Sequence, residues 1–306
     1  MNNEKKGMLA AGAAYAIFGV SYLFSKMAME FAEPVILLCC RFFVTVVVMN
    51  LMAAARIVKL NLKRKKLLGP VLLGVFQPIL YFVLENYGLK YTTTSFTGMV
   101  SSVGPVFTAA LGAIMLRERP NWKQWICIAV SISGVMLVSL GTNSGENTLA
   151  GCLCLLGAYL CGSIYSILVR KLSKEYSSFE LTYVMFMEGF AFFAVLAFVQ
   201  YGAGTPGVIG AALSHGKFIV SALFLGGVVS IGAFMLVNYS LARIPVARSA
   251  IFNCMSTLFS VLAGVIVMKD PFTWVSAAAF VLMMGGMWGV NRFAEKTDGE
   301  SVKEAA

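Results

Sequence analysis

Apolar runs of about twenty residues or slightly more, parted by short polar connections, succeed one another along almost the whole chain. At 1.5 Å rise per residue, about twenty residues cross about 30 Å of hydrocarbon, so the runs read as transmembrane helices rather than barrel strands. Spans are predicted near 8–29, 34–55, 67–89, 93–116, 122–141, 150–172, 180–201, 216–241, 245–268 and 272–293. The pattern is written twice. Asn86-Tyr87 returns 152 positions later as Asn238-Tyr239, and Leu89, Phe107, Gly112, Trp122, Gly134 and Val138 return as Leu241, Phe259, Gly264, Trp274, Gly286 and Val290. Five crossings per copy is an odd number, which sets the second copy upside down relative to the first, as in alternating-access carriers. The expected fold class is an all-α membrane protein of ten transmembrane helices in two inverted five-helix repeats. Residues 1–145 form the first repeat, 146–294 the second, and 295–306 a charged cytoplasmic tail.

Composition agrees: 59% of the 306 residues are hydrophobic, mean hydropathy is +0.81 and only 12% are charged, about half the usual share for a soluble protein. The net charge of +10 does not point to nucleic acid, because the basic residues gather in alternate connections. Lys5, Lys6, Arg56, Lys59, Lys63 to Lys66, Arg117, Arg119, Lys123, Arg170, Lys171, Lys174, Arg243, Arg248, Arg292, Lys296 and Lys303 fall at one face, and only Lys90, Lys217 and Lys269 at the other. This bias predicts that both termini are cytoplasmic, and the compact form of the chain points to a bacterial-type inner membrane. The first run carries Lys26 and no small-x-small cleavage site, so it is expected to stay as helix 1 rather than leave as a signal peptide.

The seven cysteines lie in or at the ends of apolar runs and read as buried packing residues. Cys152 and Cys154 lack further ligands at metal spacing, since the one histidine, His215, is in another loop. No Walker loop, dinucleotide fingerprint or nucleophile elbow appears, and no connection is long enough for a soluble catalytic domain, the longest being the loop near 201–217. No cofactor and no enzyme activity are expected. Thr108-x-x-x-Gly112 and its counterpart Ser260-x-x-x-Gly264 read as faces of close helix approach, the alternative being glycine simply tolerated in a membrane helix, against which the recurrence in both halves argues.

Several motifs together resemble the EamA-type carriers of the drug/metabolite transporter superfamily, over nearly the whole chain. They are Phe18-Gly19-Val20-Ser21-Tyr22 with Lys26, Pro34 followed by Arg41-Phe42, Tyr87-Gly88-Leu89-Lys90-Tyr91-Thr92, Pro105-Val106-Phe107, Leu116-Arg117-Glu118-Arg119-Pro120 and Gly134-Val135. The resemblance implies a central cavity between two inverted five-helix repeats and a role in moving small metabolites, often outward. The second copy departs from the pattern, with Thr257 where the first has Pro105 and Lys269-Asp270-Pro271 where it has Arg117-Glu118-Arg119-Pro120. A proline kink in helix 9 is therefore not assured.

Polar residues that break the repeat symmetry are the candidates for handling an asymmetric solute. Arg41, seven residues past Pro34, lies about 10 Å inside the span, where lipid exposure costs about 2.5 to 3.5 kcal/mol. It is read as an anion clamp, with a snorkelling or paired arginine as the alternative. Glu188, eight residues after Glu180, lies about 12 Å inside helix 7 and is read as the partner for a solute cation. The alternatives are a carboxylate held by a serine, by backbone or by a contact between two copies, and a coupling proton site. Gln77-Pro78 interrupts helix 3 and places an amide beside the break. Tyr22, Tyr81 and Tyr165, with Tyr15 and Tyr159, have the spacing of a cavity wall, or of an interfacial belt. Lys26, Glu85 and Asn238 complete the substrate-binding set: the first two as interfacial anchors, a mutual salt bridge or the external mouth, Asn238 more readily as an interhelical hydrogen bond.

The expected activity is secondary-active export of small metabolites such as amino acids or related amphipathic compounds, by alternating access in the lipid bilayer. A sugar-phosphate or nucleotide-sugar exchanger and a channel or scramblase are the rivals. The expected partners are a small-molecule metabolite and lipid, with a homodimer left open and no nucleic acid.

Overall fold

The computed structural model describes residues 3–58, 60, 67–115, 122–141, 147–244, 246, 249 and 252–304. No strand occurs among them. Lys59, Lys63 to Lys66, the Arg117-Glu118-Arg119-Pro120 motif and Arg248 lie outside the described residues. Helices α1 (Asn3–Ala28) and α2 (Pro34–Ala54) follow the predicted spans, the second starting on Pro34, whose missing N–H costs nothing in a first turn.

The predicted third span is bent. It consists of α3 (Leu68–Gly74), a wider turn over Val75–Leu80 and α4 (Tyr81–Lys90), with Gln77 in extended backbone at φ −148° and ψ 116°. Pro78 has no N–H to give the preceding turn, and that is where the helix opens. The predicted span 93–116 is likewise divided, into α5 (Thr94–Ser101) and α6 (Gly104–Met115), with Pro105 in the first turn of the second piece. In the second copy α13 (Asn253–Ala263) runs through Thr257 without a break, as a threonine in Pro105's place allows.

Helices α7 (Trp122–Gly141), α8 (Leu149–Leu172) and α9 (Ser178–Tyr201) come next. A capping box of Ser177 and Glu180 fixes the start of α9. The stretch expected as a loop near 201–217 is instead largely helical. Gly202, at φ 56°, turns the chain, and α10 (Thr205–Leu213) starts with a proline in its first turn and the Thr205 hydroxyl 2.8 Å from the Gly202 carbonyl. Helix α11 (Gly216–Leu223), a wide-turn stretch over Phe224–Ala233 and α12 (Phe234–Leu241) form one long segment. The last helix, α14 (Trp274–Glu304), carries the predicted span 272–293 on into the charged tail.

Among the described residues, six stretches are long and apolar enough to cross a bilayer: Asn3–Ala28, Pro34–Ala54, Leu68–Lys90, Leu149–Leu172, Ser178–Leu213 and Gly216–Leu241. Trp122–Leu137, Asn253–Met268 and Trp274–Gly289 are shorter apolar helices. The chain is thus an all-helical, multi-pass membrane protein.

Between helices in lipid, burying apolar area gains little, so close backbone approach and interhelical hydrogen bonds must hold the bundle. The α7–α14 contact illustrates this. Gly134 lies against Ala279 and Met283 of α14, while Gly286 lies against Cys127 and Ser131 of α7. As the position falls from 134 to 127 along one helix, it rises from 279 to 289 along the other, so the two helices run antiparallel. The same contact is made twice, since 279 and 283 stand 152 positions after 127 and 131.

Candidate functional site

Within the bundle lies a cavity with about 850 Å³ of open space, mouth included. Six of the predicted residues, Arg41, Gln77, Tyr22, Tyr81, Glu85 and Tyr165, line it together. Arg41 projects from α2 and is only 2% exposed. Its Nε donates to the Ser230 hydroxyl at 2.9 Å, and its guanidinium carbon lies 4.3 Å from the Phe82 ring centroid, a desolvated cation–π contact. Both terminal nitrogens lack hydrogen-bond acceptors among the described residues.

Glu85, on α4, is the acid in this cavity. Its Oε1 accepts from the Tyr81 hydroxyl at 2.6 Å, and no hydrogen bond from the described residues reaches Oε2. No ion pair joins Glu85 to Arg41. Tyr159 sits beside them, its hydroxyl 3.3 Å from that of Tyr22 and 3.1 Å from the Thr97 carbonyl. The remaining wall is split: Ser101, Asn253 and Ser256 continue the polar side, whereas Phe18, Phe82, Phe234 and Val237 form an apolar one. The bend at Pro78 turns the Gln77 amide into this space.

Three predicted residues stand elsewhere. Glu188, read from depth alone as Arg41's counterpart, does not line the cavity; it packs against Gly74 of α3. Sequence depth fixes height along a helix but not the face, and helix rotation decides the face. Asn238 is fully buried outside the cavity, accepting from the Tyr165 hydroxyl at 2.5 Å and donating to the Thr182 hydroxyl at 2.9 Å. It is an interhelical hydrogen bond. Lys26 donates to the carbonyls of Leu89 at 2.8 Å and Thr92 at 2.5 Å, and so serves the C-terminus of α4, where free carbonyls favour a cation. Arg170 makes the equivalent bond in the second copy, to the Leu241 carbonyl at 2.8 Å. Leu241 is the repeat mate of Leu89.

Sequence reasoning missed Ser230, Phe82, Ser101, Asn253 and Ser256, all small polar or apolar residues common in membrane helices. Ser101 and Asn253 carried a usable signal, since they stand 152 positions apart and differ in polarity. Among the described residues no three His, Cys, Asp or Glu side chains come together as a metal site.

The cavity is closed at one end and extends toward the other. Near Lys26 and Thr92, Asp270 accepts from the Ser95 backbone N–H at 2.7 Å and Ser260 donates to the Thr94 carbonyl at 2.9 Å, seating α13 on Gly98 of α5. Toward the end where Gly7 meets Ile244, the lining continues through Tyr15, Thr108, Leu241 and Val246.

A family model described as the EamA-like transporter family matches residues 5–140 and again 149–292. The chain belongs to that family. The transporter is 31% identical over 283 residues to "Uncharacterized transporter YcxC" of Bacillus subtilis (strain 168), covering 92% of this chain and 91% of that one. It is 26% identical over 212 residues to a "Probable terminal-alkyne amino-acid exporter" of Streptantibioticus cattleyicolor, covering 69% and 66%. A "UDP-galactose transporter 1" of Arabidopsis thaliana is 24% identical over 210 residues, covering 67% and 60%. A crystal structure with 18% sequence identity superposes with a TM-score of 0.69 over 95% of the transporter and 97% of that chain, and so shares its fold.

Proposed function

We propose that this transporter exports a small zwitterionic, amino-acid-like solute across the inner membrane by alternating access, with Arg41 holding the solute's anion and Glu85 its cation. One observation carries the reading: a buried guanidinium with two unused nitrogens and a carboxylate with an unused oxygen share one cavity without pairing. Two opposite charges taken out of water cost several kcal/mol each unless something bridges them. A molecule bearing both charges bridges them. Its carboxylate accepts two parallel bonds from the guanidinium, and its ammonium donates to Glu85 Oε2. The apolar wall of Phe18, Phe82 and Phe234 then takes the side chain.

Ten spans in two inverted repeats, both termini cytoplasmic, complete the proposal. The double family match, the antiparallel α7–α14 contact made twice, and the caps by Lys26 and Arg170 on matching carbonyls support it. In that frame the cavity extends toward the cytoplasm.

Counterflow in reconstituted vesicles tests the reading, with radiolabelled L-amino acids set against their amides, their deaminated acids and uridine diphosphate sugars. Saturable exchange of the intact zwitterions, with the singly charged analogues at least tenfold poorer, is expected. Preference for the nucleotide sugars, or flux without trans-stimulation, would overturn it.

A further inference from the structure

The solute cavity leaves one intramembrane carboxylate unused. Glu188 is half-buried on α9, and its Oε2 is sealed off with no hydrogen-bond partner among the described residues. That oxygen occupies a notch on α3 that exists because residue 74 is glycine; a Cβ there would collide with it. The next residue, Gly189, rests on the Pro78 ring in the same way. Two consecutive residues of α9 therefore seat themselves on both sides of the break in the third span. Between those seats Gln77 turns into the cavity.

Among the described residues, the surroundings of Glu188 offer no counter-charge. Neither α3, the Val75–Leu80 turn nor α10 carries a titratable side chain. On α2 the candidates are Cys39, Cys40 and Arg41, and Arg41 is turned to Ser230 and the cavity. On α12 there is Tyr239, and on α9 itself Glu180 in the capping box, Tyr183 bonded to Asn50, and Tyr201. None bonds to Glu188. A neutral acid fits such a notch, whereas an ionised oxygen finds no donor there to replace its lost hydration. Protonation therefore favours the seated side chain, and ionisation weakens the seat of α9 on the bend.

We propose that Glu188 is a proton-binding site outside the solute cavity, and that loading and unloading it reseats the Gly74–Pro78 bend and so couples a proton gradient to transport. The only bond made and broken is the carboxyl O–H, with the proton taken from water on one side and returned on the other. This rests on the carrier reading above. In each cycle Gln77 carries the change of seat to the solute site.

Infrared difference spectra of the purified protein in liposomes, titrated with pH and without solute, test the site directly. A protonated-carboxyl band that titrates in the wild type is expected to vanish in Glu188→Gln, to persist in Glu85→Gln and to shift its midpoint by about one pH unit or more in Gly74→Ala. In vesicles, a pH gradient is expected to drive accumulation of a radiolabelled L-amino-acid mixture at least tenfold over no gradient. Glu188→Gln should lose that response and keep solute-for-solute exchange. A band unchanged in Glu188→Gln, or an unchanged gradient response, overturns the proposal. If the amide variant does not fold, Glu188→Asp replaces it, and an unshifted band then has the same force. Absence of exchange in the wild type sinks the zwitterion reading instead, and the spectra still decide Glu188.

Discussion

Asn253 donates its side-chain amide to the Ser101 carbonyl at 2.7 Å, and the two residues hold the same place in the two copies, 152 positions apart. A residue that touches its own counterpart lies on the axis relating the copies. Both also line the cavity, which therefore straddles that axis. The pairs on either side of it are unequal. Ser260 closes on the Thr94 carbonyl at 2.9 Å, while their counterparts Thr108 and Val246 both line open space, the Thr108 hydroxyl bonding instead to the Gly104 carbonyl at 3.0 Å and to Ser163 at 3.1 Å. One copy has made the contact that the other has not.

The closed end is held by few polar bonds, so weakening one should shift the conformational balance. Asp270→Asn removes a charge-assisted acceptor from the Ser95 N–H at the start of α5, a bond of about 1.5 to 3 kcal/mol. In a cysteine-free background, Ser256→Cys is expected to become about tenfold or more reactive to a membrane-impermeant thiol reagent applied from the Lys26 end. Equal reactivity would show that Asp270 does not hold this end shut.

Gly98 gives a sharper version of the same test. Its missing Cβ is where Ser260 sits, so Gly98→Val cannot close this end. Overpacking a fitted contact costs about 1 to 3 kcal/mol. Transport should fall at least tenfold while yield in the membrane holds, and crosslinking of Thr108→Cys with Val246→Cys should rise. Normal flux would mean the two helices need not meet.

Charge removal separates the two ends of the solute. Arg41→Gln is expected to weaken binding of a zwitterionic amino acid by about tenfold to a hundredfold, as loss of bonds to a charged group implies. Glu85→Gln should weaken the amino acid similarly and leave its deaminated acid unaffected. Thermal stability measured against ligand concentration reads both, and parallel losses for the two ligands in Glu85→Gln would contradict the assignment.

Asn238 should behave as structure rather than site. Asn238→Ala removes bonds to Tyr165 and Thr182, each worth about 0.6 to 1.7 kcal/mol between membrane helices. A lower Tm with unchanged apparent affinity is expected; a change in affinity without a change in Tm would return Asn238 to the solute site.

Hydrophobic runs and their lengths were enough to read a multi-pass helical bundle, because the hydrocarbon thickness and the need to satisfy every backbone group leave helices few alternatives. Pro78 and Pro105 also announced their breaks, a missing N–H being a local property. What the line of residues did not contain was rotation. Arg41 and Glu188 looked like partners by depth, and Glu85 like an interfacial anchor, a partner of Lys26 or a residue of the cavity mouth, yet it is Glu85 that shares Arg41's cavity and Glu188 that faces Gly74. Which face of a span meets which neighbour depends on contacts between residues far apart in the chain, such as Ser230 with Arg41, 189 positions away. Only the packed bundle decides these, since small residues and single hydrogen bonds, rather than hydropathy, set how membrane helices turn toward one another.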